Sequence, residues 1–163
     1  MIVKGRVWKF GDDINTDLIF PNVAFRLPEE EQVKLVFQAN RPGWVEEVQP
    51  GDIIIGGRNF GTGSSRPGAA LFKRLGIGAL VAESINGLFF RNCMNYGLPA
   101  MQCPGVYKIF EEGDIAEINF DDAIVRNVNK NLSITGQRLP DSLLKLLEAG
   151  GNIPLLRAEG YID

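Results

Sequence analysis

Arg58-Asn59-Phe60-Gly61-Thr62-Gly63-Ser64-Ser65-Arg66-Pro67 separates an apolar run, Ile53-Ile54-Ile55, from a stretch of helical character at residues 68–75. Two glycines, two adjacent hydroxyls and an arginine therefore fall where a strand hands over to a helix, the building step of α/β domains. Such a junction gathers backbone N–H groups and the positive end of a helix dipole, which suits an anion. A serine placed there can cap the helix, cradle a phosphate or react. Pro67, read as the first helical residue, suits the cap. The phosphate cradle is the weaker match, because no P-loop lysine follows and Arg66 stands where a third glycine would be needed. As a base, the serine would need cationic and dipolar stabilisation of its alkoxide.

Composition narrows the chemistry. The chain has 163 residues, 45% of them hydrophobic and 23% charged, with net charge -3. One domain spanning residues 1–163 with its own core is expected. The charge balance gives no electrostatic case for nucleic acid or an anionic membrane. No apolar run is long enough for a membrane span and no signal-peptide core opens the chain, so a cytoplasmic location is expected. Histidine is absent and only two cysteines occur, Cys93 and Cys103. A Ser-His-Asp triad, a Cys-His pair and histidine metal sites are thereby excluded. The cysteines lack metal-site spacing and read as reduced, half-buried residues. Catalysis, if this chain takes part in it, rests on serine, arginine, carboxylates and backbone dipoles, or on a partner.

Around the central loop the pattern is α/β. Residues 2–10 read as a strand, ended by a turn at Gly11-Asp12-Asp13. Pro28 and three glutamates open a helix expected to run to Ala39, with Val33, Val36 and Phe37 on its apolar face. Ala79-Leu80-Val81-Ala82 is a continuous apolar run, as in a strand covered on both faces. Ser84 or Asn86 can cap a helix over residues 87–96, followed by a strand over 98–103. Short alternating runs from Val106 onward predict an antiparallel region. A final helix starts at Pro140-Asp141-Ser142, with Leu143, Leu144, Leu146 and Leu147 as its stripe, and ends at Gly150-Gly151.

The central loop resembles the GxNxGxGSSR signature of the swivelling domain of the aconitase superfamily. Asn15-Thr16-Asp17-Leu18-Ile19 with Pro21 resembles that family's TDxI–Pro segment, and Asn92 to Pro99 its N-x-x-x-x-G-L-P turn. Leu147-Glu148-Ala149-Gly150-Gly151 is similar to its C-terminal helix end. The matches are collinear over nearly the whole chain. They resemble stand-alone small subunits of 3-isopropylmalate dehydratase, homoaconitase or dimethylmalate dehydratase type. The resemblance implies a three-layer swivelling β/β/α domain of the α/β class. It also implies a large partner subunit carrying a 4Fe-4S cluster, a small hydroxy di- or tricarboxylic acid as substrate, and a dehydration–rehydration reaction. Self-association of the isolated chain stays open.

Carried over by position, the resemblance makes Ser64 the base and Arg66 a binder of a substrate carboxylate, with Ser65 positioning or capping. Arg26 matches the arginine of a P-x-x-x-F-R segment that binds the distal carboxylate; read without the family, it is a solvated arginine before a helix. A Tyr-Leu pair frequent in the specificity loop is replaced by Val23-Ala24-Phe25. Asp17 is either a carboxylate caged beside Arg66 or an Asx-turn residue. Asn59 is expected to brace the glycine loop, and Trp8 and Trp44 to be core or partner-facing. The family's Glu-His after the arginine is replaced by Pro67-Gly68. Two other classes remain: a non-catalytic anion-binding module and a pure assembly partner.

Overall fold

The computed structural model describes residues 1–64 and 66–163; Ser65 lies outside the described residues. The chain runs β1 (Ile2–Phe10), α1 (Thr16–Ile19), a 3-10 turn (Asn22–Arg26), α2 (Glu29–Gln32), a second 3-10 turn (Val33–Leu35) and α3 (Trp44–Glu47). Then follow β2 (Ile53–Gly56), α4 (Gly68–Arg74), β3 (Ala79–Ala82), α5 (Gly87–Asn95), β4 (Ala100–Gln102) and α6 (Val106–Ile109). The chain ends with β5 (Ile115–Asn119), β6 (Ile124–Asn127), β7 (Leu132–Thr135), α7 (Asp141–Ala149) and α8 (Asn152–Ala158).

Among the described residues seven strands form one mixed, curled sheet in the order β4-β3-β2-β1-β5-β6-β7. β1 belongs to both halves. Its first part pairs antiparallel with β5, from Ile2 opposite Asn119 to Arg6 opposite Ile115. Its second part pairs parallel with β2, from Val7 opposite Ile53 to Phe10 opposite Gly56. The parallel half reads as predicted for strands covered on both faces: every residue of β2 and β3 is buried. β5 alternates buried and half-buried positions, the signature of an antiparallel strand with one face outward.

Packing over the parallel half is aromatic. Phe10 stacks on Phe37 at 4.1 Å between centroids, Phe37 lies 5.9 Å from Phe72 of α4, and Phe60 meets Phe89 of α5 at 5.9 Å. These rings are buried, and Phe60 belongs to the glycine loop itself. Anchoring that loop through a wholly buried ring fixes its base while its tip stays outside.

Several expectations change. The helix predicted for residues 28–39 stops near Leu35, because Val36 is extended and Phe37 takes a positive φ of 59°. Phe37 turns inward to reach Phe10, and its N–H donates to the Leu18 carbonyl at 2.7 Å. The tertiary contact overrides a local helical pattern. Pro67 occupies the cap position of α4 rather than its first turn, and Gly68 is the first helical residue. α6 and α8 were not expected; α7 is followed by α8 across Gly150, whose φ is 93°. Asn86 caps α5, its Oδ1 accepting from the Leu88 N–H. Cys93 and Cys103 are wholly rather than half buried.

Candidate active site

The site forms where the chain leaves β1 and β2. Beyond the strand ends the two segments remain side by side, so residues 11–17 and 57–64 form a continuation of the parallel pairing. Asp13 N–H donates to the Arg58 carbonyl at 2.7 Å, and Gly61 N–H to the Ile14 carbonyl at 2.8 Å. Asn15 bridges Thr62, and Thr16 N–H reaches the Thr62 carbonyl at 2.8 Å. Asn59, at φ 56°, braces this pairing: its N–H donates to Ser84 Oγ at 2.9 Å and its amide to Asp13 Oδ1 at 3.1 Å.

Glycine is required at two points. Gly61 has φ 83°, and a Cβ there would meet Phe89 at 2.3 Å. Gly63 has φ 93° and lies against Asn15, whose Oδ1 would stand 2.7 Å from an added Cβ. L-residues pay for positive φ and would also lose these close approaches.

Ser64 follows, exposed at the tip. Its carbonyl accepts from the buried Thr16 hydroxyl at 2.6 Å. Arg66 turns inward instead, with its side chain only 10% exposed. Its Nη2 lies 2.8 Å from Asp17 Oδ1 and its Nη1 donates to the Phe20 carbonyl at 2.9 Å. The Phe25 ring lies 5.9 Å from the guanidinium carbon, close enough for a cation–π contact, and packs edge-on against Phe20. Asp17 is thus the carboxylate beside Arg66. The Asx turn belongs to Asn15, whose Oδ1 accepts from the Asp17 N–H at 2.8 Å.

The helix-cap reading of the loop serines is not met at Ser64 among the described residues, and for Ser65 it lies outside them. The cap of α4 is Pro67, which brings no side-chain hydrogen bond. Asn92 of α5 does that work from across the fold, accepting from the Ala69 N–H at 3.1 Å. Gly68 N–H goes to the Arg66 carbonyl and Ala70 N–H to the Pro67 carbonyl. These donors of α4 are therefore spent inside the protein, and the idea of an anion held by that helix start loses them. Gly68 admits the close approach of its neighbours: an added Cβ would stand 2.9 Å from Ile19 Cγ2 and 3.2 Å from Phe89 Cε1.

The structure brings Asp17 and Arg66 into contact and ties the Ser64 carbonyl to Thr16, the residue before Asp17. Arg26 ends the 3-10 turn that carries Phe25 and is exposed, with no hydrogen bond or ion pair among the described residues. Thr16, Phe20 and the capping role of Asn92 had no signal in local pattern, because each acts across more than twenty positions of sequence.

Two depressions flank the region. One of about 620 Å³ opens between Gly11, Asp12, Arg58, Glu83 and Tyr107. Three of its charged groups have partners: the Gly105 and Tyr107 N–H groups donate to the Glu83 carboxylate, each at 2.8 Å, and Arg58 lies 3.6 Å from Asp12. The other, about 300 Å³, lies beside Pro67 between Phe20, Phe25, Leu71 and Tyr96. Neither encloses Ser64.

The residues present do not fit an iron–sulfur cluster. Among the described residues no group of three or more His, Cys, Asp or Glu is arranged to hold a metal ion. Burial pushes the Cys103 thiol up to about 11, helped by the Glu83 charge, and pushes Cys93 higher still. Ligation needs the thiolate, which both sites disfavour. No described helix is long and apolar enough to cross a membrane.

Residues 15–105 match the model of the aconitase C-terminal domain. The chain is 42% identical over 159 residues to the isopropylmalate/citramalate isomerase small subunit of Methanocaldococcus jannaschii, covering 96% of this chain and 94% of that one. It is 41% identical to 3-isopropylmalate dehydratase small subunit 1 of Methanopyrus kandleri, covering 98% and 95%. A crystal structure of 3-isopropylmalate dehydratase from Methanocaldococcus jannaschii superposes with a TM-score of 0.90 at 34% identity, over 99% of this chain and 96% of that one. With fold, loop and full-length similarity in agreement, the chain belongs to the aconitase C-terminal domain family, in the branch of the isopropylmalate dehydratase small subunits.

Proposed function

We propose that this chain is the small subunit of a hydro-lyase acting on a hydroxy-dicarboxylic acid of the isopropylmalate or citramalate kind, and that it brings the base, Ser64, and a carboxylate-binding arginine, Arg66. The observation that carries this reading is the contrast between the two side chains. Ser64 is exposed on a loop whose backbone is tied at Gly61, at Thr62 and at the Ser64 carbonyl, while Arg66 is drawn in and oriented by Asp17 and Phe20. A reacting hydroxyl must be reachable and a binding fork must be pre-set, and this arrangement meets both needs.

In the forward direction Ser64 Oγ takes the proton from the carbon next to a carboxylate. The C–H electron pair forms the C=C bond, and hydroxide leaves the neighbouring carbon. Rehydration runs in the opposite sense: hydroxide adds to the carbon that lost the proton, and Ser64 delivers the proton to the carbon that lost hydroxide. Arg66 keeps further N–H donors beyond those given to Asp17 and Phe20, and these would meet the carboxylate. A cluster carried by the large subunit would supply the Lewis acidity that a departing hydroxide requires. Ser64 is exposed at the loop tip, so a second chain would cover it to exclude water. The relatives are small subunits by name, which accords with such a partner. Arg26 and Phe25 would face the substrate's variable end, where an apolar Phe25 favours an alkyl branch. Ser65 would help position the substrate.

The test is reconstitution with the cognate large subunit. Ser64→Ala is expected to abolish turnover while leaving the melting temperature and assembly unchanged; full turnover by that variant, or by the isolated small subunit, would overturn the reading.

A further inference from the structure

Ser64 is held by its backbone, and the group that holds it is a side chain. Among the described residues no group fixes the Ser64 hydroxyl itself, so the orientation of its backbone sets the Cα–Cβ bond and with it the few staggered positions open to Oγ. That orientation is tied down at the carbonyl by Thr16 Oγ1, at 2.6 Å. Thr16 is only 2% exposed, and its backbone joins the same fixture. Its N–H donates to the Thr62 carbonyl and its carbonyl accepts from Phe20 N–H, each at 2.8 Å. Asn15 lies against Gly63 on one side, and Asp17 pairs with Arg66 on the other. Three consecutive residues thus engage the loop in register.

We infer that Thr16 is a positioning residue for the Ser64 base, its buried hydroxyl setting the Ser64 carbonyl and hence the reach of Oγ toward the substrate proton. The inference rests on Ser64 being that base. A buried Thr hydroxyl serving only stability would have no effect on the proton-transfer step once the protein is folded and assembled. A positioning hydroxyl must act on that step, since a small misplacement of a reacting atom is costly. Valine has the shape of threonine without the donor, and serine keeps the donor without the methyl group.

The experiment compares Thr16→Val, Thr16→Ser and Ser64→Ala in the reconstituted enzyme, with 3-isopropylmalate and the same acid deuterated at the abstracted position. Thr16→Val is expected to lower kcat about a hundredfold at little-changed KM, with a larger deuterium isotope effect on kcat, as a misplaced base would. Thr16→Ser should return kcat to within about threefold of the parent and the isotope effect with it. Where Thr16→Val fails to assemble, Thr16→Ala carries the same expectation. A Thr16→Val kcat within about twofold of the parent while Ser64→Ala is inactive would overturn the positioning role alone. A loss in KM only, or a serine variant as poor as the valine one, would also overturn it. Turnover by Ser64→Ala would instead remove the base reading beneath it.

Discussion

Arg66 Nη2 lies 2.8 Å from Asp17 Oδ1 while Nη1 of the same side chain donates to the Phe20 carbonyl at 2.9 Å. The guanidinium is therefore fixed in plane by a charge and a dipole on adjoining turns of chain, and its remaining N–H edge is aimed as a consequence. A lysine cannot reproduce this, because one ammonium is a point charge without a planar fork. Arg66→Lys in the assembled enzyme is expected to lower kcat/KM about tenfold to a hundredfold, with most of the loss in KM. Steady-state kinetics check it, and an unchanged KM would remove Arg66 from substrate binding.

Gly61 carries the turn that presents Ser64. Its φ of 83° and the 2.3 Å approach of Phe89 to an added Cβ act together, since relieving one by moving the backbone worsens the other. Gly61→Ala is expected to destabilise the protein by about 2–5 kcal/mol, the sum of an unfavourable φ and a local overpacking. Urea denaturation of the isolated chain measures it. The same variant should lose turnover beyond what its unfolded fraction explains, because the loop must shift to accommodate Phe89.

The parallel core was legible because β2 and β3 are covered on both faces, so their burial demands the unbroken apolar runs seen at Ile53 and Ala79. The antiparallel half was legible through alternation, as at β5. The break at Phe37 was not, since Val33, Val36 and Phe37 suit a helix face and only the stack on Phe10 pulls the last one away. The side-chain acceptor that Asn92 offers to the Ala69 N–H at the start of α4 was not legible either, because it comes from far along the chain. The loop was singled out by its own residues; the contacts that hold it, Thr16 above all, depend on a distant segment that only the fold brings near.

Asp52 is a buried carboxylate at the end of β2 opposite the glycine loop. Its Oδ2 accepts from Trp8 Nε1 at 2.7 Å, from Gln49 N–H at 2.8 Å and from Arg6 Nη2 at 3.0 Å. Replacing it with alanine strands a buried indole N–H and a backbone N–H together. Asp52→Ala is expected to cost about 3 kcal/mol, and Asp52→Asn, which keeps an acceptor, about 1 kcal/mol. Because β2 lies between Asp52 and Ser64, turnover per folded molecule should be unchanged in both variants. A stability loss below about 0.5 kcal/mol for the alanine variant would show that water replaces the carboxylate there.

Glu112 gives the acid limb of stability a specific contributor. Bidentate hydrogen bonds from Arg41, at 2.7 and 2.6 Å, are the main cause holding its carboxyl below the ordinary glutamate value of 4.5, with the Lys9 N–H adding to them. A carboxyl whose folded pKa is lowered stabilises the protein above its unfolded pKa. That stabilisation is lost as pH falls through the folded value, since the unfolded chain then binds the proton more readily. The difference in melting temperature between about pH 7 and about pH 3 should therefore shrink in Glu112→Gln and in Arg41→Met, each measured against the parent. The side chain is partly exposed, so raising salt should weaken the effect as well. A glutamine variant that keeps the parent's full drop on acidification would assign the acid sensitivity to other carboxylates, among which Asp114, also held below its ordinary value, is the next to replace.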